Sequence, residues 1–226
     1  MKKLILILLA LSLLLTLAAC GSSKGISHKD YVAAALDTQV TVETYVQAHQ
    51  SWWDGKVTVY AQSKDGAYFL YNMACSEADA AKLTEGTKII VTGYKSEWSG
   101  EVEIVDATFE FGKGTYVAKP TDVTGLLGSD KLIDHQNEKV VIKGLTVAST
   151  FLYKWDGSGQ EGDDLYFDVS DGKNTYTFTV ESYLCGADTD VYKAVKNLKV
   201  GDKIDVEGFL YWYEGVQPHV TSVTPA

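Results

Sequence analysis

Two small closed β-barrels in tandem, all-β with a few short helices, are what this 226-residue sequence predicts, and three observations carry the prediction. Residues 86–94, GTKIIVTGY, align without a gap on residues 201–209, GDKIDVEGF. Trp-Asp-Gly recurs at 53–55 and 155–157, and Asp-Gly at 65–66 and 171–172, each pair at matching places in the two halves. Both halves also carry their signals in one order: three strands, a short helix, two strands. Such an internal repeat makes each half one structural unit.

In the first half, Val40-Thr41-Val42 opens a run over 40–47 that alternates apolar and polar residues, as a strand buried on one face requires; Val140-Val141-Ile142 is its counterpart. An Asp-Gly turn at 54–55 leads to a second run over 56–62, and a second Asp-Gly turn to a third over 67–74. Ser76 with Asp79 three residues on forms a capping box before the helix formers Ala78, Ala80, Ala81 and Leu83; the matching stretch, 188–198, is five residues longer. Two further strands, 87–98 and 101–111, close the first copy, and 203–213 and 216–223 close the second. Three strands, a helix and two strands is the order of the five-stranded Greek-key barrel of OB type, in which closure removes exposed sheet edges. Segments 27–36 and 129–136 read as helical lead-ins, one ahead of each barrel. The expected division is a signal peptide at 1–19, a lipidated tether at 20–29, a first OB-like domain at 30–114, a linker at 115–122 around Pro120, and a second OB-like domain at 123–226.

The N-terminal division rests on Lys2 and Lys3, an apolar run over 4–17, and Leu17-Ala18-Ala19-Cys20. These four residues resemble the lipobox of bacterial lipoproteins, which implies diacylglycerol on the Cys20 thiol and attachment to the extracytoplasmic face of the cell membrane. With the two copies of the GxxIxVxG strand pattern, at 86–93 and 201–208, the chain resembles the poorly characterised exported lipoproteins that carry one or two OB-like domains. That resemblance implies a non-enzymatic envelope module.

Net charge is -10; losing residues 1–19 removes Lys2 and Lys3 and no acid, leaving -12. That sign disfavours nucleic acid as a partner, because neutralising phosphates takes clustered Lys and Arg. It accords with an unknown small ligand, a glycan, a peptide or an envelope protein. No metal or cofactor is implied: the four histidines show no ligand spacing, and the acidic stretch 156–164 places Glu161 where a calcium loop needs its turn glycine. Cys75 and Cys185 end equivalent third strands of separate barrels, so they are expected as free buried thiols. No catalytic motif is present, and the chain is expected not to be an enzyme.

The five tryptophans carry the functional expectation. Trp52, Trp53 and Trp155 fall at the connection between the first two strands, and Trp98 and Trp212 at that between the last two. In OB barrels these connections border the face that receives oligonucleotides or oligosaccharides. With Tyr94, Phe209, Tyr211 and Tyr213 on the presumed outer face, they form the candidate binding set. Two readings stand side by side, packing across the hairpins and a stacking platform for a glycan, peptide or small ligand. Docking of an envelope protein and binding of single-stranded nucleic acid are the alternatives.

Overall fold

The computed structural model describes residues 25–226. Cys20, the expected signal peptide at 1–19 and the start of the expected tether lie outside the described residues. The chain begins with α1 (His28–Ala33), N-capped by Ser27, whose hydroxyl accepts from the Asp30 N–H. Its C-terminal carbonyls, those of Tyr31, Val32 and Ala34, all accept from the Lys95 ammonium.

The first barrel is built from β1 (Gln39–His49), β2 (Lys56–Gln62), β3 (Ala67–Ala74), β4 (Thr87–Trp98) and β5 (Glu101–Thr115), with α2 (Glu77–Ala80) between β3 and β4. The strands close in the order β1-β2-β3-β5-β4, with β3 and β5 parallel and the other pairings antiparallel. The chain then continues through β6 (Thr121–Asp122), β7 (Lys139–Val147), β8 (Leu152–Tyr153), β9 (Leu165–Ser170), β10 (Thr175–Val180), α3 (Asp190–Asn197), β11 (Lys203–Phe209) and β12 (His219–Pro225). Pairing of β7 with β9 closes β7-β9-β10-β12-β11 into a second ring of the same order, with β6 and β8 added at its margins. Both barrels, and the duplication that predicts them, are therefore present.

The cores follow from the alternation. Val40, Val42 and Val46 of β1, Ile89 and Val91 of β4, and Leu70 and Met73 of β3 fill the first barrel; Val140, Ile142, Phe167, Phe178, Ile204 and Val206 fill the second. Each such side chain removed from water contributes about 1.5–3 kcal/mol. The segment after each third strand packs against its barrel core, through Ala80 of α2 and Leu83 just beyond it in one copy and Val191, Tyr192 and Val195 of α3 in the other.

The repeated glycine has a steric cause. Opposite Gly93 the ladder steps from Thr92↔Thr108 to Tyr94↔Val105, and opposite Gly208 from Glu207↔Ser222 to Gly208↔Val220, so each partner strand carries one extra residue. A Cβ on Gly93 would lie 2.7 Å from the Val105 carbonyl oxygen, and one on Gly208 2.4 Å from that of His219. The bulge sits on the partner strand, so the alternation along β4 runs on unbroken: Ile89, Val91, Gly93 and Lys95 are buried, while Tyr94 and Trp98 are exposed.

Cys75 and Cys185 are both buried free thiols. The second lead-in forms one turn of 3-10 helix over Leu132–His135. The expected strand over 203–213 stops at Phe209, where Leu210 turns its N–H to the Glu138 carbonyl.

Candidate functional site

The barrels meet along an aromatic seam. Tyr60 of β2 stacks on Phe209 of β11 with ring centroids 4.6 Å apart, and Phe69 of β3 meets Tyr211 edge-on at 5.2 Å. The Tyr60 hydroxyl lies 2.5 Å from Nδ1 of His219, whose ring stacks on Tyr211. Burial holds His219 down to about 3, so it is neutral and its imidazole pairs with the phenol without charge.

Hydrogen bonds flank this seam. Glu101 of β5 is fully buried; its Oε2 accepts from the Trp212 N–H at 2.9 Å and from the Gln136 side chain at 3.2 Å. Burial, against those donors, pushes its carboxyl up to about 8. The Glu214 N–H reaches the Ser99 carbonyl at the β4–β5 tip, and the Ser51 N–H reaches that of Tyr183. Loops of one barrel are thereby fixed against loops of the other.

Above the seam lie two adjoining cavities, of about 560 and 500 Å³, that share Trp98 and Tyr211. Trp53, Phe69, Tyr71 and Tyr183 complete the aromatic lining of the first, and Trp155, Tyr166 and Tyr213 that of the second. Local turns aim the indoles. Asp54 and Gly55 both have positive φ in a tight turn bracketed by the Trp53↔Lys56 bridge, and this leaves Trp53 76% exposed. Trp98 ends β4 before the Ser99-Gly100 turn and is 61% exposed; Trp155 is 76% exposed.

Of the nine aromatic residues expected from the sequence, Trp53, Trp98, Trp155, Tyr211 and Tyr213 come together around these cavities. The other four line neither. Trp52 packs on the first core and donates its indole N–H to the Cys75 carbonyl at 2.8 Å. Phe209 is buried in the seam, and Trp212 packs against the second core. Tyr94 is exposed on the outer face of β4 away from both cavities. Trp52 and Trp212 thus pack against the barrel cores, while Trp53, Trp98 and Trp155 stay exposed.

Sequence reasoning missed Phe69, Tyr71, Tyr166 and Tyr183, and two acids. Phe69 and Tyr71 share a strand phase, a readable signal; Tyr183 sits in a loop with none. Glu103 of β5 and Glu181, just after β10, both line the first cavity. Burial raises both carboxyls, Glu181 to about 7 with help from neighbouring Asp164. Lys56 is the cation at this cavity, with an exposed side chain. Among the described residues no group of three or more His, Cys, Asp or Glu side chains is placed to hold a metal ion.

No family model matches the chain, and no curated protein does. Solved structures do resemble it at low identity. The Ifi202 HINa domain in complex with a 20-base-pair double-stranded DNA is 13% identical, with a TM-score of 0.37 over 85% of this chain and 99% of that one. A murine DNA-binding protein bound to double-stranded DNA is 11% identical, with a TM-score of 0.37 over 82% and 96%. The single-stranded DNA-binding protein of Thermus aquaticus is 15% identical, with a TM-score of 0.26 over 90% and 95%. The expectation that nucleic acid is disfavoured as a partner stands against these three, each of them a DNA-binding protein. Its physical weakness is that net charge describes the whole surface, whereas a ligand meets one cleft.

Proposed function

We propose that this chain is a non-catalytic, lipid-anchored extracytoplasmic binding module whose cleft takes an extended ligand by stacking flat rings on exposed aromatics of both barrels. One observation carries the reading: Trp53 and Trp98 of the first copy and Trp155 of the second line two cavities that share a wall. Indoles left this open contribute nothing to a core, and an apolar patch across a concave boundary is the usual form of a ligand site.

Single-stranded nucleic acid is the first ligand to test. Bases present two flat faces, and each base stacked on an aromatic side chain contributes about 1–3 kcal/mol. With Lys56 the cation in the first cavity, affinity comes from stacking and changes little with salt. Glycans are the second reading, favoured by Glu103 and Glu181, whose carboxyl oxygens accept from sugar hydroxyls.

Titration of the chain's intrinsic fluorescence with single-stranded oligonucleotides and with a glycan panel separates the two. Saturable quenching by one class, lost in Trp98→Ala, is expected; silence toward both removes the reading. Partition into detergent that disappears in Cys20→Ala is expected of the anchor, and unchanged partition contradicts it.

A further inference from the structure

The first cavity holds a feature that ring stacking does not use. Glu103 is 8% exposed as a residue and lines this cavity, and among the described residues its carboxylate, which water still reaches, has neither a hydrogen-bond donor nor an ion-pair partner. A carboxylate held in a largely desolvated wall, with no partner from the chain, leaves its lone pairs to a donor or a cation that enters the cavity. The chain does not supply one from inside: Lys95, the buried lysine among the described residues, has its ammonium bound to three carbonyls at the end of α1. Lys56 stays at the mouth with an exposed side chain.

Beside Glu103 the lining is aromatic, Trp53, Trp98, Tyr71, Tyr183 and Tyr211, with Glu181 as a second acid. Aromatic faces carry negative quadrupole density and attract a cation with a weakly hydrated surface, the arrangement that recognises alkylammonium groups. A bare metal ion needs several converging ligands, and among the described residues no group of three or more His, Cys, Asp or Glu side chains is placed to hold one. An anion would meet two carboxyls. The volume, about 560 Å³, exceeds that of a single ammonium headgroup and leaves room for the body to which it is attached.

We infer that the first cavity is a binding site for an organic ammonium group, caged by Trp53, Trp98, Tyr71, Tyr183 and Tyr211 and neutralised by Glu103. This goes beyond ring stacking and rests on that reading only in taking the cleft to be open to ligand. Glu103 is the specificity-determining group, and the rings provide the cage.

The test uses the full chain and two probes of the same shape, choline and its neutral tert-butyl analogue, followed by tryptophan fluorescence. Saturable quenching by choline at least tenfold tighter than by the analogue is expected. Glu103→Gln, isosteric and neutral, should abolish that preference, and Tyr183→Ala, in an exposed loop, should weaken choline severalfold while the fold is kept, as read by circular dichroism. Equal binding of the two probes, no choline binding, or full choline preference in Glu103→Gln overturns the inference. Oligonucleotide and glycan titrations run in parallel keep the two readings apart. Saturation by either with choline silent removes the ammonium site and leaves the stacking cleft, whereas silence in every arm removes both.

Discussion

The two barrels share a strand order and differ in their hairpins. In the first, β4 and β5 run for 12 and 15 residues and end in a tip at Trp98-Ser99-Gly100; in the second, β11 and β12 have seven each, and the connection between them is a loop held by the Trp212↔Val216 bridge. The connection between the first two strands shows a similar contrast. β1 and β2 meet through a tight turn, whereas β7 and β9 pair at two positions and are joined by a long loop containing β8. The long hairpin of the first copy reaches the loop over 210–218 of the second, where the Glu214 N–H bonds the Ser99 carbonyl and the Trp212 ring lies over Gly100. Duplication supplied two similar units, and their unequal loops make the cleft between them.

If that seam fixes one barrel to the other, the largest effect comes from emptying it. Phe209→Ala removes the ring stacked on Tyr60 and is expected to cost about 3–5 kcal/mol. Calorimetric unfolding should then split into two transitions, one per barrel; a single transition at the parent temperature would mean that the barrels are coupled elsewhere.

Glu101 gives the seam a pH dependence. Its folded value of about 8 lies above its ordinary 4.5, so between these values the folded state holds a proton that the unfolded state has lost. Stability from this group is therefore full below about pH 4.5 and falls by about 1.4 kcal/mol per pH unit as pH rises towards 8. Buried His219, held down to about 3, works with the opposite sign below its ordinary 6.5, so the comparison is made between parent and variant. Glu101→Gln should flatten the parent's decline in denaturant midpoint between pH 5 and 8, and parallel pH profiles would show that Glu101 does not titrate across this range.

Trp98, shared by both cavities, sharpens the cleft itself. Trp98→Ala should weaken binding of the stacked ligand by about 1–3 kcal/mol by calorimetry, while Trp52→Phe leaves it unchanged. An equal loss in the two variants would locate the effect in barrel stability and not in the cleft. The smallest effect contrasts the two helices. Thr189 N-caps the eight-residue α3, and Thr189→Ala should lower stability by about 1 kcal/mol in urea unfolding, in the second barrel's transition if the two have been separated.

Much of each barrel was legible in the chain, and the seam was not. Strand limits at 56–62, 67–74 and 87–98 coincide with β2, β3 and β4, because alternation and Asp-Gly turns are local signals. The repeat of Gly93 and Gly208 is visible in the sequence, but the bulge opposite each is not, because it depends on close approach by a partner strand. Tyr60, Phe69, Phe209 and His219 meet across the boundary from non-equivalent places in the repeat, so comparing the copies with each other could not find them. The same holds for Glu103 and Glu181. Each reads as one more acid in an acidic chain until folding brings both to one cavity. Trp52 and Trp53 are adjacent and chemically identical, and only strand phase separates the packed indole from the open one.

The most direct measurement follows the five indole N–H resonances by NMR as a single-stranded oligonucleotide or a glycan is added. A ligand held in the cleft shifts those of Trp53, Trp98 and Trp155 together, with one affinity, and leaves Trp52 and Trp212 in place. Shifts spread evenly over all five, or confined to the tryptophans of one barrel, would contradict a shared site between the two.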